Sequence, residues 1–153
     1  KPIINKNFCL LVHESNLPKD KGGAPIQNQI LRGSNKIYFT LIRANEKVDS
    51  GDIYLKTSFK LNGTELNNEI RKIQALKSLN LIKKFLKNFK KYRPKKQIGV
   101  STYNRIRTKK DSLININKSL KDQFNLLRVC DNKKYPAYFI FKKKKYILKI
   151  YKI

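Results

Sequence analysis

Methionine and tryptophan are absent from the 153 residues, histidine occurs once, and cysteine occurs twice. Without a methionine, Lys1 is no initiator, so sequence upstream of it is expected. Cys9 and Cys130 lie far apart with no Cys-x-x-Cys spacing, which argues against a zinc site or a disulfide framework and leaves both as expected buried thiols. No apolar run approaches the ~20 residues that a membrane-spanning helix needs. No signal peptide precedes the first apolar run, and a leader upstream of Lys1 is left open; the expected location is the cytoplasm, with no membrane partner. Acidic residues are also scarce, at 10 against 36 Lys plus Arg, for a net charge of +26.

Such a charge ordinarily points to nucleic acid or an anionic surface. Of the 36 basic residues, however, 29 are Lys and 7 are Arg, whereas bidentate recognition of phosphate favours Arg. Ile (18) and Asn (16) are abundant too, and a Lys/Ile/Asn surplus is what an AT-rich genome produces by codon bias. Nucleic acid is therefore not the expected partner. The alternative it leaves is a basic, non-catalytic nucleic-acid-binding module in which Lys83 to Lys96 and Lys142 to Lys145 contact phosphates and Tyr92, Tyr103 and Tyr146 stack on bases.

Along the chain, Phe8 to Val12 is a short continuous apolar run that suits a strand buried on both faces of a parallel sheet. Ile26, Ile30 and Leu31 recur at helical spacing until Gly33. Lys36 to Ile42 and Ile53 to Leu61 alternate as half-buried strands do. Thr64 is the expected N-cap of the longest helix, whose apolar positions are Leu66, Ile70, Ile73, Leu76, Leu79, Ile82, Phe85 and Phe89. Tyr92-Arg93-Pro94 then marks a boundary, giving residues 1–91 as part of an α/β core and 92–153 as a smaller α+β lobe. In that lobe Leu120, Phe124 and Leu127 suggest a helix, and Ala137 to Phe141 with Tyr146 to Tyr151 a hairpin turning through Lys142 to Lys145.

His13 follows the first apolar run, where an imidazole can act as a base near neutral pH. A lone histidine is structural more often than catalytic. Its company is a Pro/Gly loop and an acidic turn, Asp49-Ser50-Gly51-Asp52, whose first carboxylate can either orient His13 or simply cap the turn. Lys19 and Lys21 can meet a pyrophosphate or merely solvate the loop, and Arg105, Arg107 and Arg128 can be ligand contacts or structural ion pairs.

The run His13-Glu14-Ser15-Asn16-Leu17-Pro18-Lys19-Asp20-Lys21-Gly22, followed by Ala24-Pro25-Ile26-Gln27 and by Asp49-Ser50-Gly51-Asp52-Ile53, resembles the 10-formyltetrahydrofolate-dependent formyltransferase family in order and spacing. That family includes methionyl-tRNA formyltransferase and the sugar N-formyltransferases. A second block, Arg105 to Ser112 with Phe124 to Arg128 and Tyr135 to Phe139, is similar to signatures of the sugar branch.

The resemblance implies a Rossmann-like formyltransferase core with a parallel sheet, of which the chain holds the C-terminal part. It also implies transfer of a formyl group from the folate N10 to a primary amine through a tetrahedral intermediate, with no metal. His13 and Asp49 would be the catalytic pair, and Ser15, Leu17, Pro18, Asp49 and Gly51 would contact 10-formyltetrahydrofolate. Lys19, Gly22, Arg105 and Arg107 would contact a nucleotide-linked amino sugar, with charged initiator tRNA as the alternative acceptor and a homodimer left open. The isolated chain is expected to be inactive. One departure stands out: the family carries an oxyanion-stabilising Asn two residues before the His, and this chain has Leu11.

Overall fold

The computed structural model describes residues 2–153. In chain order the elements are α1 (Pro2–Lys6), β1 (Leu10–His13), β2 (Lys21–Gly22), α2 (Pro25–Leu31), β3 (Lys36–Arg43), β4 (Ile53–Lys60), α3 (Asn67–Lys87), β5 (Tyr103–Asn104), α4 (Phe124–Val129), β6 (Ala137–Phe141) and β7 (Lys144–Leu148), with short 3₁₀ turns at Phe89–Lys91 and Lys109–Ser112. No helix among the described residues is long and apolar enough to cross a membrane.

Long β3 is the centre of a three-stranded sheet, antiparallel to β1 on one side and to β4 on the other. Its alternation places Ile37, Phe39 and Leu41 wholly inside, where they join Ile26 and Ile30 of α2 and Ile70, Leu81 and Phe85 of α3 in one apolar cluster. The parallel pairing is local: β2 lies beside β5, more than 80 residues away in sequence. A second cluster gathers Ile114, Leu127, Cys130 and Ala137 around the β6–β7 hairpin.

Four local expectations change. The first strand begins at Leu10, runs antiparallel to β3, and is not buried on both faces throughout: Leu10 and Val12 pack on the cluster, while on the other face Leu11 is 43% exposed and only His13 is buried. The long helix starts at Asn67, not after a Thr64 cap, because Glu65 accepts from the N–H groups of Asn62 and Gly63 in a turn and the N–H of Leu66 donates to Glu69 instead. Leu76 and Leu79 of α3 are exposed, as is Phe89 in the 3₁₀ turn that follows it, since the face that meets the sheet passes through Ile70, Ile73, Leu81 and Phe85, with the Lys77 ammonium lying over the Phe59 ring. Of the two cysteines, Cys130 is buried and Cys9 only half-buried.

The hairpin turn is also tighter than its sequence suggests. Lys142 and Lys143 both adopt positive φ (45° and 63°), the conformation of a two-residue turn that Asn-Gly usually supplies.

Candidate active site

The site is built where β1 ends. His13 pairs with Thr40 of β3 and is 5% exposed. The chain then turns sharply, and the turn is pinned from within. The Ser15 hydroxyl donates to the Lys19 carbonyl (2.7 Å), and the Thr40 hydroxyl donates to the Ser15 carbonyl (2.6 Å). The Lys56 ammonium donates to Asn16 Oδ1 (2.9 Å) and to the Leu17 carbonyl, and burial lowers its pKa. Ser15 and Leu17 are 0% exposed, so both side chains form the interior of the loop and give it its shape. Pro18 is half-buried and Lys19 exposed.

The loop returns through Asp20, whose φ is +59°. Its carbonyl lies 2.8 Å from His13 Nε2. Lys21 and Gly22 then run beside Tyr103 and Asn104, and the N–H of Gly22 donates to Asp49 Oδ2 (2.8 Å). The other oxygen, Asp49 Oδ1, is 3.4 Å from His13 Nδ1, with the carboxylate and imidazole both more than nine-tenths buried. Asp49 is itself left-handed (φ +49°) at the head of the turn between β3 and β4. Gly51 is required two residues on: a Cβ there would sit 1.6 Å from the Arg43 carbonyl oxygen. Gln97 closes the turn, donating from Nε2 to the carbonyls of Asp49 (2.8 Å) and Gly51 (2.9 Å). Its Oε1 is buried with no hydrogen-bond partner among the described residues.

His13, Asp49, Gly22 and Gly51 therefore meet in one place. Leu11 shares the His13 face of β1, two residues away, and brings no donor there. The arginines lie apart from this group. Arg105 is exposed and ion-paired to Asp111, and this partner, with the N–H of Thr108, holds the Asp111 carboxyl well below the usual range. Arg107 donates to the Asp111 carbonyl (2.9 Å) and lines a separate cavity of about 550 Å³ with Glu14, Gln27, Arg71, Thr108 and Lys134. Lys21 is not a solvated loop residue: it is 4% exposed, its ammonium 5.7 Å from the Tyr103 ring centre. Arg128 is 1% exposed and structural, donating to Asn35 (2.6 Å) and Asn125 (2.8 Å) and lying 3.5 Å from Glu65.

Sequence reasoning missed Asp20, Gln97, Arg71 and Lys134. An Asp in a Pro/Gly loop reads as ordinary turn chemistry, and Gln97 reaches the Asp49 turn from 46 residues beyond Gly51. Neither carries a local signal.

A buried imidazole between a carboxylate and a carbonyl can hold a proton and pass it on. Residues 4–86, more than half of the chain, match the family model described as formyl transferase. The chain belongs to the formyl transferase family. Among its curated relatives, a methionyl-tRNA formyltransferase from Francisella philomiragia is 32% identical over 119 residues, covering 78% of this chain and 38% of the relative. The chain thus spans under half the length of that relative.

Among solved structures, a methionyl-tRNA formyltransferase from Clostridium thermocellum is similar over 100% of this chain and 66% of its own (25% identity, TM-score 0.83). A sugar N-formyltransferase from a Shewanella species is similar over 96% and 62% (22% identity, TM-score 0.75). The fold also recurs in HypX from Aquifex aeolicus, solved in complex with tetrahydrofolic acid, over 95% of this chain and 26% of HypX (16% identity, TM-score 0.72). The Rossmann-like formyltransferase class expected for the core, with its C-terminal α+β lobe, is the fold this chain shares with these structures.

Proposed function

We propose that the protein carrying this chain transfers a formyl group from 10-formyltetrahydrofolate to the primary amine of a nucleotide-linked amino sugar. The observation that carries the reading is the buried pair of His13 and Asp49, 3.4 Å apart at the end of β1, inside the segment that matches the formyl transferase model. The folate, when bound, supplies the formyl carbon as electrophile. His13 takes the proton that the attacking amine must lose, Asp49 stabilises the imidazolium so formed, and the proton returns toward the departing folate nitrogen. General acid and base assistance of this kind contributes roughly 10²–10⁴-fold.

The residues at the Asp49 turn fit a folate. Gln97 Oε1, buried and unpartnered, is an acceptor of the kind that the N–H groups of a pteridine complete, and Gly51 keeps the turn free of a side chain. The shaped loop holding Ser15, Leu17 and Pro18 would form the adjoining wall. For the acceptor, the cavity beside Glu14 offers Arg71, Arg107 and Lys134 to an anionic group, with Lys19 exposed on the loop. Residues 1–91 would supply the catalytic core and 92–153 the lobe that carries Arg107, in a cytoplasmic enzyme. A second reading, in which charged initiator tRNA is the acceptor, is favoured by the name and 32% identity of the Francisella philomiragia relative.

The test is formyl transfer by the complete protein, with 10-formyltetrahydrofolate offered alongside dTDP- and UDP-linked amino sugars or charged initiator tRNA. Turnover on an amino sugar supports the first reading, turnover on tRNA alone replaces it with the second, and a folded protein inert on both contradicts the assigned reaction.

A further inference from the structure

His13 is enclosed differently from a base that has one ring nitrogen held by a carboxylate and the other free. Both of its nitrogens face acceptors: Nε2 lies 2.8 Å from the Asp20 carbonyl, and Nδ1 lies 3.4 Å from Asp49 Oδ1. A carbonyl cannot donate, so the 2.8 Å contact exists only when Nε2 carries the proton.

The Asp20 carbonyl is in turn aimed by an unusual degree of anchoring. Asp20 is one of five non-glycine residues with positive φ among those described, a conformation that aspartate tolerates better than most residues. Three contacts hold it there. Its N–H donates to Thr102 Oγ1 (2.8 Å), Asn104 Nδ2 donates to its Oδ1 (3.1 Å), and Arg32, at the C-terminal cap of α2, donates to its Oδ2 (2.7 Å). Two of these partners come from the segment around β5, more than 80 residues along the chain.

We infer that Asp20 is a positioning residue for His13: its left-handed backbone, locked by Arg32, Thr102 and Asn104, fixes the neutral imidazole as the Nε2–H tautomer and leaves Nδ1, against Asp49, as the atom where the transferred proton enters and leaves. In the neutral ring the Nδ1 lone pair faces the Asp49 carboxylate. A proton arriving at Nδ1 converts that opposition into an Nδ1–H group facing Asp49, while Nε2–H stays on the Asp20 carbonyl. The cation formed in the reaction is therefore the fully partnered state of the ring, and the C-terminal segment takes part in setting it through Thr102 and Asn104. The catalytic consequence rests on the formyl-transfer reading; the tautomer assignment does not.

The experiment is ¹⁵N NMR of the labelled full chain, in which the single histidine gives one ring spin system. With the ring neutral, Nε2 should give a pyrrole-type resonance and Nδ1 a pyridine-type resonance; on protonation both should become pyrrole-type. Asp20→Ala, which removes both side-chain anchors and disfavours positive φ, should replace the single tautomer by a mixture. Asp20→Asn, which tolerates the left-handed region and keeps an acceptor for Arg32 or Asn104, should restore it. An Nδ1–H tautomer in the parent protein overturns the proposal without any variant. A folded Asp20→Ala protein with an unchanged single tautomer overturns the role of the anchoring. Because no turnover is read, absence of formyl transfer leaves this result standing, and the reverse also holds.

Discussion

The neighbourhood of His13 and the lobe around β6 and β7 are held together by different means. Around His13 side chains close on backbone groups. The Asp20 carbonyl faces the His13 ring, the Gly22 N–H donates to the Asp49 carboxylate, Gly51 leaves room for the turn, and the Gln97 side chain donates to two main-chain carbonyls. In the lobe side chains meet one another: a cluster of four buried residues, and the buried guanidinium of Arg128, which reaches across to Asn35 and Glu65 beside the larger cluster. Backbone placement fixes geometry that a substitution can change only by moving the chain, whereas side-chain placement concentrates the cost in one residue.

The largest effect that would sharpen this comparison is on the backbone side. Gly51→Ala puts a methyl group 1.6 Å from the Arg43 carbonyl, so the turn must open; transfer should be lost and thermal unfolding should come at markedly lower temperature, by calorimetry. A Gly51→Ala protein with parental stability would break the account of the turn. On the side-chain side, Arg128→Leu removes the partner of Glu65, Asn35 and Asn125 and should destabilise the chain by ~3 kcal/mol in denaturant titration, the scale for breaking a buried pair.

A gain is expected at Leu11. It lies on the His13 face of β1 where the family's donor stands, and a single such donor is worth ~10²–10³-fold elsewhere, so Leu11→Asn should raise kcat by roughly tenfold or more with little change in stability. Unchanged kcat would show that stabilisation of the developing oxyanion comes from another group.

The smallest effect is on acid stability. Burial raises the Glu65 carboxyl, but the N–H groups of Asn62 and Gly63, with Arg128 nearby, outweigh it and leave the pKa below its ordinary value. A carboxylate depressed in the fold stabilises it fully above the unfolded pKa and loses that contribution as pH falls through the folded value. Unfolding temperature should therefore drop as pH is taken below the ordinary carboxylate range, and less steeply in Glu65→Gln.

Much of this was legible in the sequence, for a physical reason. Ile37, Phe39 and Leu41 alternate because they point into the apolar cluster, and His13, Asp49 and Gly51 carry the family's order and spacing because the turn and the pair need those residues. What was not legible depends on contacts distant in the chain or on backbone conformations without a residue signature. Lys142 and Lys143 make a left-handed turn with no glycine or asparagine. The antiparallel pairing of β1 depends on β3, and the apolar face of α3 misses Leu76 and Leu79 because the sheet meets the helix along a different line. Arg107 sat near the site in the motif but lies in the neighbouring cavity, whereas Lys21, which reads as a charged loop residue, is packed beneath Tyr103.

The central claim is that the buried His13–Asp49 pair handles the proton in formyl transfer. Its most direct test is the single-turnover rate of formyl transfer by the complete protein, on whichever acceptor it uses, with His13→Ala and Asp49→Ala beside the parent. The account predicts a loss of ~10²-fold or more in each variant, with circular dichroism near parental, and a lowered unfolding temperature for Asp49→Ala, which loses the acceptor of the Gly22 N–H and disfavours the left-handed turn. A folded variant of either kind that transfers formyl at the parental rate would contradict it.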